Sequence, residues 1–192
     1  MSDDLARCAF VTSDPLYIAY HDTEWGVPVY DDRRLLEFLL LEGAQAGLSW
    51  LTILKRREAY RRHFESFDAE RIAAFDEHRV ARLLQEPSLI RNRRKIESAV
   101  NNARAFLEIQ QSWGSFHAYL WNFVDGRPKI HHFQDPSAIP QQTDLSQTIS
   151  RDLRARKFQF VGPTIVYAYL QATGVVMDHL TSCFRFHQLA AL

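Results

Sequence analysis

The chain holds only two cysteines, and each has a histidine close by: Cys8 stands thirteen positions before His21, and His179 four before Cys183. Two thiolates and two imidazoles suffice for a tetrahedral zinc site with no open coordination position, which makes such a site structural rather than catalytic. A His and a Cys four apart on a helix share one face, so the second spacing predicts a helical ligand pair. One ion bound by all four residues would clip the chain near position 8 to the chain near position 180. The alternative is a pair of unrelated buried thiols, since free Cys is often buried. Spacing alone leaves both readings open.

Glu42 is the second residue with chemical potential. It follows Leu35 by seven and Leu39 by three, on the apolar stripe of a predicted helix. It also falls near that helix's C-terminus, where the macrodipole disfavours negative charge. A buried carboxylate is costly unless a donor or a cation meets it. Either the helix frays early and leaves Glu42 in water, or the carboxylate is held inside for chemistry. Around it in the chain lie Tyr17, Tyr20, Trp25 and Trp50. Rings with polar tips beside a carboxylate can sandwich a flat, electron-poor heterocycle, and the same rings can also serve as core.

Two basic bunches complete the set. Arg91, Arg93, Arg94 and Lys95 gather at a predicted helix start, where cations are least favoured. Phosphate contacts would account for them, and so would a solvated charged face. Arg151, Arg154, Arg156 and Lys157 precede Phe158-Gln159-Phe160-Val161-Gly162-Pro163. A Gly turn ahead of a helix, here Gly162 with Thr164 just behind it, can offer backbone N–H groups to one phosphate.

The elements that must position these residues read as helices. Of 192 residues, 46% are hydrophobic and 24% charged, which excludes disordered and fibrous chains. Seven glycines and seven prolines are few against the average share of about 12%. Asp31 or Asp32 caps a buried helix over 33–42, and Ser49 starts a stripe through Trp50, Ile53, Arg57, Tyr60, Phe64 and Phe67. Acidic starts at Asp68 and Asp76, a stripe over Ile96–Leu107, and segments 115–124 and 144–157 add further helices. Residues 164–170 are helix too, between Pro163 and Gly174. The stretch before Tyr30 and the segment 127–143 read as irregular. The expectation is an all-α fold with one domain over 1–192.

Together these segments resemble one family. The run from Asp14 to Pro28 (DPLYIAYHDTEWGVP), the run from Leu41 to Trp50 (LEGAQAGLSW), Ile90–Ile96, Phe158–Thr164 and Asp178-His179 are similar, in order, to the DNA-3-methyladenine glycosylase I family. These are the constitutive Tag-type, helix-hairpin-helix enzymes of bacterial alkylation repair. The resemblance implies one structural zinc ion on Cys8, His21, His179 and Cys183. It implies that Glu42 is catalytic and contacts the extruded base, with Tyr17, Tyr20, Trp25 and Trp50 as its pocket. Leu48 becomes the wedge left in the duplex, with Gln45 and Gly47 beside it. Arg91, Arg94, Lys95, Gly162 and Thr164 become candidate DNA contacts.

Three positions depart from the pattern. Phe160 stands where the superfamily hairpin has its first Gly, and Phe10 where this family carries Trp. Thr164 occupies the place of the lyase-competent members' catalytic Lys, which implies a monofunctional enzyme. The implied partner is double-stranded alkylated DNA, and the implied product is free 3-methyladenine. Two rivals stay open at this point: a non-catalytic nucleic-acid-binding module with the same zinc staple, and a glycosylase for another alkylated purine such as 7-methylguanine.

The setting follows from the same residues. Net charge is zero, with 23 basic and 23 acidic side chains, so a polyanion must be met by a local patch. The longest apolar run, 164–170, is far short of the ~20 residues a membrane helix needs. Met1–Asp4 lacks the start of a secretory signal, and two distant cysteines suit a reducing compartment. A cytoplasmic protein, monomeric by default and without a membrane partner, is the expectation.

Overall fold

Side-chain caps set most of the helix starts. In the computed structural model, residues 5–191 are described; Met1–Asp4, the segment read for a secretory signal, and Leu192 lie outside them. Asp14 accepts a hydrogen bond from the Leu16 N–H and opens α1 (Pro15–Thr23), with proline at the first helical position. Asp31 and Ser49 cap α2 (Asp32–Gln45) and α3 (Trp50–Leu54) in the same way. After α4 (Arg57–His63), Asp68, Asp76 and Asn92 cap α5 (Ala69–Ala73), α6 (Glu77–Gln85) and α7 (Arg93–Trp113). Ser115 caps α8 (Phe116–Asn122), and Thr143 forms a reciprocal box with Ser146 at the head of α9 (Asp144–Ala155). Then come α10 (Pro163–Ala172) and α11 (Phe184–Ala190). Among the described residues, no helix is long and apolar enough to cross a membrane.

Helix α2 is the centre of the molecule, with every residue from Leu35 to Ala44 buried. It packs against α3, α7, α8 and α10, while α7 also carries α5, α6 and α8. One ion network ties its outer end to the rest. The buried Arg57 guanidinium donates to Glu37 at 2.7 Å and to Glu24 at 2.9 Å, and Arg34 adds a second contact to Glu24 at 2.8 Å. Paired this way, a buried charge is tolerated; unpaired it would not be.

Three features differ from the sequence reading. The stretch before Tyr30 is not wholly irregular, because Asp14-Pro15 opens α1 rather than a turn. The single stripe from Trp50 to Phe67 buries the expected residues apart from Trp50, which is half-buried, but breaks into α3, α4 and a 3-10 turn at Glu65–Phe67. The break is enforced by positive φ values at Glu65, Ser66 and Phe67, between 51° and 60°. Within 127–143, β1 (Lys129–Ile130) pairs in parallel with β2 (Val176–Met177), Lys129 opposite Val176. Two residues per strand carry no pattern that a sequence could show.

Helices α9 and α10 form the hairpin. The turn between them puts Lys157 (φ 68°) and Phe160 (φ 54°) in the left-handed region. For a residue with a side chain that conformation costs about 1–2 kcal/mol. Side chains of α7 hold it in place. Asn102 donates to the Gln159 carbonyl at 2.9 Å and accepts from the Gln159 N–H at 2.8 Å, while Asn101 donates to the Lys157 carbonyl at 2.7 Å. The Phe160 side chain leans on Gly43, where a Cβ would sit only 3.3 Å from it. The hairpin therefore keeps its shape without the first Gly.

The segment after α1 is clamped to the end of α10. Gly26 N–H donates to the Gln171 carbonyl and Val29 N–H to the Thr173 carbonyl, each at 3.0 Å. Gly174, at φ 66°, lies so close that a Cβ would fall 2.3 Å from the Val27 carbonyl carbon. Gly174→Ala should therefore cost about 2–4 kcal/mol, from strain at positive φ plus a backbone clash. Urea unfolding of the two proteins measures it, and an unchanged midpoint would contradict this packing.

Candidate active site

Helix α2 carries Glu42 to the wall of a cleft of about 200 Å³. The carboxylate is only 4% exposed, so the frayed-helix alternative fails. Lys95 is the reason. Its Nζ donates to the carbonyl oxygens of Ala44 and Ala46, each at 2.7 Å, and so caps the negative end of α2. Lys95, expected as a phosphate contact, here has its ammonium on the last carbonyls of α2. With the helix held to Gln45, Glu42 stays inside, and among the described residues no donor pairs with it. Burial alone pushes its carboxyl up to about 8, which favours the protonated form near neutrality.

The expected rings converge on this group. Tyr17 and Tyr20 come from α1, Trp25 from the segment after it, and Trp50 from the first turn of α3, and all four line the cleft with Glu42. Tyr20 and Trp50 lie 5.4 Å apart between ring centres, and Tyr17 and Tyr20 6.4 Å apart. Burial first, and the Glu42 charge second, raise both tyrosine hydroxyls above their ordinary value. Phe10 sits edge-on to Trp25 at 4.7 Å and closes the rim, despite the departure at that position. Ala168 and Gln171 of α10 supply the remaining side. Neither was legible as site from sequence; the only signal was a glutamine in an otherwise apolar helix.

Beside the cleft, Gln45 donates from Nε2 to the Leu48 carbonyl at 2.8 Å and closes a tight turn through Gly47, at φ 78°. That turn leaves Leu48 exposed, an apolar side chain projecting next to the cleft. Across the hairpin, one groove of about 530 Å³ brings Arg94 and Arg154 together over 158–162. Arg91 and Arg94 are exposed and form no ion pair among the described residues, whereas Arg93 is paired with Glu77 and Glu97. Gly162 caps α10 with ordinary φ, and Thr164 is exposed one residue into the helix after Pro163.

Cys8, His21, His179 and Cys183 come together, all buried, with their ligand atoms within 4.8 Å of one another. Three of the separations are 3.4–3.5 Å: both sulfurs from His179 Nδ1, and the Cys183 sulfur from His21 Nε2. A tetrahedral zinc site with ordinary bond lengths has S···N edges of about 3.6 Å, so the donor set fits that ion. The other ring nitrogens have partners of their own. His21 Nδ1 meets Asp22 at 2.7 Å, which Arg7 holds in turn, and His179 Nε2 meets the Trp25 carbonyl at 2.9 Å. Those partners fix the two tautomers and leave the inner nitrogens free to bind metal. The expected helical pair is corrected here. His179 and Cys183 are joined by a turn, and Cys183 only caps α11. The cluster backs onto the cleft, since the Trp25 ring packs edge-on against His179 at 4.5 Å.

Residues 10–186 match the methyladenine glycosylase family. Over 179 residues the chain is 47% identical to DNA-3-methyladenine glycosylase 1 of Escherichia coli (strain K12), covering 93% of this chain and 96% of that protein. A crystal structure of 3-methyladenine DNA glycosylase I is similar at a TM-score of 0.91 and 51% identity, over 93% of this chain and 98% of that one. The 3-methyladenine DNA glycosylase I of Staphylococcus aureus, solved for the structural basis of its 3-methyladenine recognition, is similar at a TM-score of 0.90 and 41% identity. That match covers 93% of this chain and 95% of the other.

The buried carboxyl makes stability depend on pH. The folded protein keeps a proton on Glu42 up to about pH 8, while the unfolded chain releases it near 4.5. Between those values the folded state binds more protons, so stability falls as pH rises. Glu42→Gln removes this loss. At pH 8 the variant should be the more stable by about 2–4 kcal/mol, with the gap closing towards pH 5. Paired urea titrations across that range measure it, and a gap independent of pH would contradict the burial of an unpaired carboxyl.

Proposed function

Because the chain belongs to the methyladenine glycosylase family, we infer that it is a DNA repair N-glycosylase that hydrolyses 3-methyladenine from alkylated DNA. The observation that carries this reading is the unpaired Glu42 among aromatic faces in a cleft open to solvent. Methylation at N3 makes the nucleotide cationic and weakens its bond to deoxyribose. The base then leaves neutral, so little acid catalysis is needed and selection can lie in binding. A damaged nucleotide also stacks and pairs poorly, which lowers the cost of swinging it out.

In the cleft, the rings of Tyr17, Tyr20, Trp25 and Trp50 favour a cationic purine over neutral adenine by about 1–2 kcal/mol. The positive charge on the bound base favours the ionised form of Glu42, whose proton passes to solvent. The resulting carboxylate accepts from the exocyclic amine and stabilises the cation. Guanine presents an oxygen acceptor at that position, which a carboxylate repels. Leu48, on its tight turn beside the cleft, fills the emptied place in the duplex. Arg91, Arg94 and Arg154, with the N–H groups around Gly162 and Thr164, meet the phosphates. Among the described residues no lysine lines the cleft, and residue 164 is Thr, which supports hydrolysis without a Schiff base.

One zinc ion on Cys8, His21, His179 and Cys183 would complete a closed structural site. It supplies no chemistry to the reaction. Its effect is to hold the N-terminal segment against the chain near 180, which places Trp25 in the wall of the cleft.

Two outcomes follow. Glu42→Gln should cut the release of 3-methyladenine from methylated duplex DNA about 100-fold while the protein stays folded. Chromatography of the freed bases reads this and also separates the rivals, since a binding module frees nothing and another specificity frees a different base. Chelation of the metal, or Cys183→Ala, should lower the melting temperature by about 10 °C, with a smaller effect on turnover per folded molecule. Melting indifferent to both would dismiss the zinc clip.

A further inference from the structure

Gln171 lines the cleft from the last turn of α10, three residues after Ala168 and on the same face. Its position is fixed twice. The main-chain carbonyl accepts from Gly26 N–H at 3.0 Å, and the side-chain Nε2 donates to Asp178 Oδ2 at 2.7 Å. Asp178 is fully buried and also receives His131 Nδ1 at 2.7 Å and the Tyr167 hydroxyl. A carboxylate only accepts, so turning the amide over would set its oxygen against another acceptor. The amide is therefore locked with Nε2 towards Asp178. Gln171 Oε1 is left over, and among the described residues no donor meets it.

We propose that Gln171 Oε1 is a second acceptor for the exocyclic amine of the bound base, held in that orientation by Asp178. This rests on the reading of the cleft as a base pocket. An amine carries two hydrogens; Glu42 takes one, and Gln171 takes the other. A guanine lesion would instead bring its O6 against two acceptors, so the pair discriminates more sharply than Glu42 alone. A neutral amide is suited to the place, because a second carboxylate beside Glu42 would add a second desolvated charge. Asp178 is a positioning residue, acting only through the amide.

The test uses the whole protein on duplex DNA carrying both 3-methyladenine and 3-methylguanine. Both are cationic N3-methylated purines, so the ratio of their release rates reports recognition rather than bond strength. Gln171→Leu should stay folded, with a melting temperature lowered modestly by the lost donor to Asp178, slow 3-methyladenine release about tenfold per folded molecule, and lower the ratio by a similar factor. Asp178→Asn, which lets the amide turn, should lower the ratio when Gln171 is present and leave it unchanged in the Gln171→Leu background. A purely structural Asp178 would depress both bases alike. Gln171→Leu carries the test by itself if Asp178→Asn does not fold. A ratio unmoved by Gln171→Leu overturns the inference and leaves the pocket reading standing. Wild-type protein that frees neither base overturns the pocket reading itself.

Discussion

Glu42 is largely withdrawn from water on the wall of an open cleft, with no donor among the described residues to compensate it, and the rest of the molecule is built around that unmet demand. A carboxyl in this state is poorly stabilised by its own protein and well stabilised by a cation that can hydrogen-bond to it. The fold must supply the difference, which it does by making α2 the most buried helix and closing both of its ends. Arg57 and Arg34 pin the outer turns through Glu24 and Glu37, and Lys95 holds the last carbonyls. Under the proposed function, discrimination and instability come from one source: the burial that would make Glu42 selective for a positive base also raises the free energy of the protein on its own.

The metal-ligand cluster and the cleft share a wall. Trp25 presents one part of its ring to the cleft, packs edge-on against His179, and accepts from the same histidine through its carbonyl. The segment that bears it is short and irregular, and it is fastened at both sides: to α10 by Gly26 and Val29, and to the chain near 180 by the His179 contact with the Trp25 carbonyl. A metal ion on the four ligands, as proposed, would add a crosslink to these contacts. Under the proposed function, rings held in this way are ordered before a base binds, which reduces the entropy cost of binding.

The hairpin shows how one residue's loss is absorbed elsewhere. Phe160 adopts the left-handed conformation that a glycine would take freely, held by Asn102 from α7, while Gly43 on α2 makes room for its side chain. As a result the hairpin turn packs directly on the helix bearing Glu42, and the groove that holds Arg94 and Arg154 runs over that same turn.

The sequence by itself determined the all-α class, the capped helix starts, the ligand types at Cys8, His21, His179 and Cys183, and the rings grouped with Glu42. All of these rest on local rules: a cap satisfies neighbouring N–H groups, an apolar stripe repeats along one helix, and a thiolate binds metal wherever it lies. Tertiary structure alone decided whether those parts meet. It showed Glu42 buried rather than frayed, with Lys95 arriving from fifty-one residues beyond Ala44 to cap α2. It broke the Trp50–Phe67 stripe, paired β1 with β2, and replaced a helical His–Cys pair by a turn. It also brought Gln171 to the cleft through a carboxylate on another segment. Each of these depends on contacts distant in the chain, whose free energy no local pattern records.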